Sequence, residues 1–101
     1  VGAERTLEDG IDAAHICGIN IIAQIKDACG GDLSRVKKIV KLGGFVNCVQ
    51  GYGDQPKIIN GASDLMVAVF GDKGRHSRSA VGVPGLPLGV TVEIDALVEI
   101  E

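Results

Sequence analysis

The chain predicts an α+β fold, with two helices laid over one face of a small sheet. Three observations carry that prediction. Residues 7–29 hold an apolar stripe at helical spacing, residues 90–101 alternate with period two, and between them a β-branched run at 36–49 precedes a second helical pattern at 54–70. With a short extended run at 77–83, the order is helix, strand, helix, strand, strand, which is a layered α+β arrangement.

The first helix opens at Thr6-Leu7-Glu8-Asp9, where Thr6 can cap and two acids meet the positive end of the helix dipole. Asp9, three residues after the cap, approximates a capping box. Ile11, Ala14, Gly18, Ile22, Ile25 and Cys29 then fall on one face, thin at Ala14 and Gly18, which suits close packing on a sheet. Gly30-Gly31 ends the helix.

Val36 to Val49 reads as a long strand, with Gly43-Gly44 a bulge or a place where another backbone comes close. Gly51-Tyr52-Gly53 is a turn. Asp54 is then placed to cap a second helix, with Pro56 in the first turn where its missing N–H costs nothing. That helix runs through Ile59, Ala62, Leu65, Met66 and Val69 and stops near Gly71. Ser77 to Val83 is extended, residues 84–89 form a loop, and Val90 to Glu101 is a strand with Val90, Val92, Ile94, Ala96, Val98 and Ile100 on one side. The short loop predicts that the last two strands pair antiparallel. Two long helices would overhang a three-stranded sheet, so further strands or a partner subunit are expected to complete it. The chain has no initiator Met and begins close to a helix signal, which points to a fragment.

The 101 residues suit one domain, and 46% hydrophobic residues supply a core that must be aliphatic, since only one Tyr and two Phe are present. The 13 acids outweigh the 10 bases, and the bases at 35–41 and 73–78 have almost no aromatics among them, so nucleic acid is a poor first partner. Cys17, Cys29 and Cys48 form no Cys-x-x-Cys pair and predict reduced, mostly buried thiols. No apolar run approaches the roughly 20 residues of a membrane span, and no signal peptide is visible, so a cytoplasmic location is expected.

One segment could carry chemistry. Gly74-Arg75-His76-Ser77-Arg78-Ser79 enters a strand with two guanidiniums and an imidazole, and Arg78 offers a fork of N–H donors that matches a carboxylate or phosphate. The competing reading is a solvated basic turn. Glu93 and Asp95 lie on the polar side of the last strand, either as its wet face or as carboxylates in a cleft. If 77–83 pairs with 90–96, Arg78 and Glu93 are neighbours, and each charge supports the other. His15 and His76 lack a third ligand at metal-binding spacing. The residues alone therefore lead to an α+β domain in which Arg78 is a candidate anion site, with the solvated basic turn left open beside it.

Three stretches resemble the YjgF/RidA family. Val36 to Val46 (VKKIVKLGGFV) is similar to its central strand. Arg78-Ser79-Ala80-Val81-Gly82-Val83, Leu86-Pro87 and Val90-Thr91-Val92-Glu93-Ile94-Asp95-Ala96 follow its C-terminal signature, and Asn60-Gly61-Ala62-Ser63-Asp64-Leu65 is similar to one branch. The resemblance implies a chorismate-mutase-like α+β fold assembled as a homotrimer, with pockets in the clefts between subunits. It also implies hydrolysis of small 2-imino or enamine acids to 2-keto acids and ammonia without metal or organic cofactor. Arg78 matches the residue that holds the substrate carboxylate, Glu93 the residue that places the attacking water, and Ala80 a pocket-lining position that is Cys in archetypal members. Other members are described as translation inhibitors or endoribonucleases, and a non-catalytic trimer that binds a small carboxylate is a further alternative. Full-length relatives begin with three more strands, which this sequence lacks.

Overall fold

The computed structural model describes residues Val1–Glu101. It contains helices α1 (Leu7–Ala28) and α2 (Gln55–Phe70) and strands β1 (Val36–Asn47), β2 (Ser77–Val83) and β3 (Val92–Ile100). The expected α+β order of elements is present, with both helices on one face of the sheet. No helix is long and apolar enough to cross a membrane.

The predicted capping box forms in full at α1. The Asp9 amide donates to Thr6 Oγ1 at 3.1 Å, and the Thr6 amide donates to Asp9 Oδ2 at 3.0 Å. That backbone donor holds the Asp9 carboxyl below the usual carboxylate range. Gly30 and Gly31, both at positive φ, close the helix.

At α2 the predicted cap is absent. Asp54 occupies the cap position but its side chain accepts no backbone hydrogen bond; its φ of −94° and ψ of 20° are not the extended backbone that aims a cap side chain at the free amides. Its carboxylate instead sits 3.7 Å from Lys57 Nζ. Pro56 lies in the first turn and Gly71, at φ 62°, terminates the helix, both as expected.

The thin part of the α1 stripe meets α2, not the sheet. A Cβ on Gly61 would lie 2.6 Å from the Ile11 carbonyl oxygen, and one on Gly18 would lie 3.3 Å from Ala62 Cα. The helices touch almost backbone to backbone there.

The three strands run in the order β2-β1-β3. β1 pairs parallel with β2, from Lys41↔Ser77 to Asn47↔Val83. It pairs antiparallel with β3, from Val36↔Ile100 to Val46↔Val92. The expected direct pairing of β2 with β3 is therefore wrong: they run in opposite directions, but β1 lies between them. The longest and most buried of the three, β1, takes the centre, where both edges of its backbone are paired.

The bulges also fall elsewhere than predicted. Register shifts occur between Val36 and Lys38 and between Ile39 and Lys41. They bring Val36, Ile39 and Leu42, spaced by three, onto the same buried side. Gly43 and Gly44 stay in register; the Ile59 side chain fills the space over Gly44, and the Asp95 carboxylate that over Gly43.

The core is aliphatic. Ile39, Leu42, Val46, Ile58, Ile59 and Met66 are fully buried between sheet and helices. The other sheet face carries Lys41, Phe45, Ser79, Val81, Asp95 and Leu97, with Leu97 63% and Val81 44% exposed.

Candidate anion site at the sheet edge

Arg78 pairs with fully buried Leu42, so its side chain leaves the sheet on the helical side. On edge strand β2 it reaches α2. Nη1 donates to Ser63 Oγ at 3.1 Å and Nη2 donates to the Pro56 carbonyl at 3.4 Å. No carboxylate lies within ion-pairing distance; the only ion pairs in the molecule are Lys57–Asp54 and Arg75–Asp72. Two neutral oxygens thus hold a full positive charge, and three of the five guanidinium N–H donors remain uncommitted.

Ser63 sits on the buried stripe of α2 beside Ala62 and is 8% exposed. Its Oγ is 2.9 Å from His76 Nε2, and His76 Nδ1 is 2.6 Å from the Gly74 carbonyl oxygen. A carbonyl can only accept, so Nδ1 carries the proton. With Nδ1 the one protonated ring nitrogen, Nε2 accepts from the Ser63 hydroxyl. The turn at 71–74 sets this geometry: a side chain at Gly74 would run into the Met66 carbonyl, so only glycine lets the turn lie against α2. Asn60, Ser63, Asp64, Arg75, His76 and Arg78 line a shallow concavity of about 280 Å³.

Glu93 is elsewhere. It pairs with Phe45, on the face turned away from the helices, and is exposed. β1 separates it from Arg78, and three residues along plus two strand spacings across give roughly 14 Å between their Cα atoms. Within one chain the two are not neighbours, because the strand pairing that would have joined them does not form. Ala80 pairs with Gly44 on the same side as Arg78 and packs, half-buried, against the cluster around Ile58 and Ile59.

Of the other reactive side chains, Cys29 is buried, whereas Cys17 and Cys48 are half-buried at the margins of the core. Burial pushes the Cys17 thiol up, and the Glu93 charge adds to that. His15 is exposed on α1. Ser63 is the site residue that sequence reasoning passed over. Its signal was a hydroxyl at a position in step with Ile59 and Met66, on a stripe otherwise wholly apolar.

Residues 1–100 match the family model described as "YjgF/chorismate mutase-like, putative endoribonuclease". Protein TCP17 of Trypanosoma cruzi is 48% identical over 101 residues, covering 99% of this chain and 62% of that protein. The crystal structure of Atu1372 from Agrobacterium tumefaciens, described as of unknown function, superposes with a TM-score of 0.98 at 46% identity, over 100% of this chain and 64% of that one. A "putative endoribonuclease" from Shewanella oneidensis MR-1 gives 0.92 at 40% identity, over 98% and 65%. The chain thus spans just under two thirds of the length of these relatives.

Proposed function

The chain belongs to the YjgF/chorismate-mutase-like family, and on that premise we propose that it acts as a deaminase on small 2-imino acids, with Arg78 gripping the substrate carboxylate. The observation that carries this reading is the unpaired guanidinium at the edge of the sheet, held by a hydroxyl and a carbonyl. A cation kept in place by neutral acceptors retains its charge for an incoming anion.

The chemistry asks little more of the protein. Fixing the carboxylate orients the adjacent C=N bond, and water adds to its carbon to give a carbinolamine. Loss of ammonia from that adduct leaves the 2-keto acid. A carboxylate that orients the water is sufficient assistance for so activated a carbon, and Glu93 is assigned that task. Since Glu93 and Arg78 of one chain lie on opposite sheet faces, the Glu93 that serves a given Arg78 comes from a second copy. A homotrimer with clefts between subunits supplies that arrangement.

A second reading comes from the family's description and that of the Shewanella relative, which make ribonuclease activity an alternative. The net charge of −3 and the shortage of aromatics weigh against it.

The test is ammonia release from freshly generated 2-iminobutanoate by the wild type and by Arg78→Ala. Losing a charge-assisted grip worth about 1.5–3 kcal/mol lowers kcat/KM by roughly 10- to 150-fold. An Arg78→Ala protein as active as wild type would falsify the assignment. RNA cleavage in the same preparations, lost with Arg78→Ala, would favour the second reading.

A further inference from the structure

We infer that Ser63 and His76 are positioning residues for Arg78, forming a directed hydrogen-bond chain that fixes the guanidinium without neutralising it. The inference rests on Arg78 being the anion grip. The chain runs in one sense: His76 Nδ1 donates to the Gly74 carbonyl, the Ser63 hydroxyl donates to His76 Nε2, and Arg78 Nη1 donates to Ser63 Oγ.

Each link has a reason. A hydroxyl has one proton, and a rotor free to turn can aim that proton at a neighbouring cation, which repels it. His76 takes the Ser63 proton, so Ser63 presents only lone pairs to Arg78. Ser63 stands on a helix and is 8% exposed, so its Oγ is a fixed point. An Arg side chain gives up about 2 kcal/mol of rotamer entropy when ordered. Ordering it in advance removes that cost from ligand binding. A carboxylate at the position of Ser63 would hold Arg78 more tightly, but it would compete with the substrate for the same charge.

The groups around the imidazole fit this role. Arg75 is drawn away by Asp72, through Nε to Oδ1 at 3.2 Å, while Asp64 and Asn60 line the rim of the concavity. Neither Asp64 nor Asp72 lies within ion-pairing distance of Arg78. The chain of neutral donors and acceptors is therefore the guanidinium's main anchor, with the Pro56 carbonyl as a longer second contact.

The experiment compares the wild type with Ser63→Ala, Ser63→Thr, His76→Phe and His76→Gln in the full chain. It records the dissociation constant for 2-oxobutanoate by calorimetry, kcat and KM for ammonia release, and the melting temperature. Losing one hydrogen bond of ordinary strength should weaken 2-oxobutanoate binding by about tenfold in Ser63→Ala and His76→Phe, with KM rising more than kcat falls. Ser63→Thr keeps the hydroxyl and His76→Gln keeps an acceptor, so both should restore most of the affinity. A purely structural role would lower the melting temperature without separating the Ala from the Thr variant. Wild-type affinity in both Ser63→Ala and His76→Phe overturns the inference alone. A wild type that binds no 2-oxobutanoate and releases no ammonia overturns the reading of Arg78, and the inference with it.

Discussion

Arg78 was legible in the sequence because its type and place are both informative: a guanidinium at the entry to a strand, beside a second Arg and a His. What holds it was not legible, since Ser63 lies 15 positions away and reaches it only through the packing of α2 on β2. The fork geometry makes a residue-level prediction. Arg78→Lys keeps the charge but loses the paired planar donors and their contacts to Ser63 and Pro56. KM should then rise by about an order of magnitude, which steady-state ammonia release would measure. The raised Cys17 thiol makes a second. A group whose charged form is disfavoured by burial holds less thiolate at neutral pH, so Cys17 should alkylate more slowly than a free cysteine, read by mass spectrometry after timed iodoacetamide treatment.

The elements themselves were largely predictable, because each is announced by local chemistry: the Thr6 box, the Gly30-Gly31 stop, Pro56, and the alternation along 90–101. Their neighbours were not. A short loop between β2 and β3 fits a hairpin as well as a crossing over β1, and only the requirement to bury β1 on both edges decides between them. Three predictions belong at this scale. Thr6→Ala removes the side-chain cap and should lower stability by about 1 kcal/mol, a few degrees in melting temperature. The folded-state pKa of Asp9 is depressed, so its contribution is present above the ordinary carboxylate pKa and is lost as pH falls through the lower folded value. The backbone amide that lowers this pKa survives in Thr6→Ala, so the variant that should lose less stability in acid than the wild type is Asp9→Asn, read by melting temperature against pH. At the helix crossing, Gly61→Ala sets two effects against each other. Helix propensity favours alanine by up to about 1 kcal/mol, whereas a Cβ 2.6 Å from the Ile11 carbonyl forces the backbones apart at about 1–3 kcal/mol. The clash wins, and denaturant melts should show net destabilisation.

On the scale of the whole molecule, the sheet has one face covered by helices and one carrying exposed Val81 and Leu97 beside Lys41 and Asp95. Arg78 is reached from the first side and Glu93 lies on the second. The sequence signature brought both residues to notice, but it could not show that β1 would separate them. That separation is what makes the proposed site a property of an assembly. The most direct test is to co-express Arg78→Ala chains with Glu93→Gln chains and assay the purified mixture for ammonia release from 2-iminobutanoate beside the wild type. Each variant alone should be nearly inactive, while the mixture should recover a clear fraction of wild-type activity, because some clefts combine an intact Arg78 with an intact Glu93 from another copy. A mixture as inactive as either parent, in an assay where the wild type turns over, would contradict the composite site.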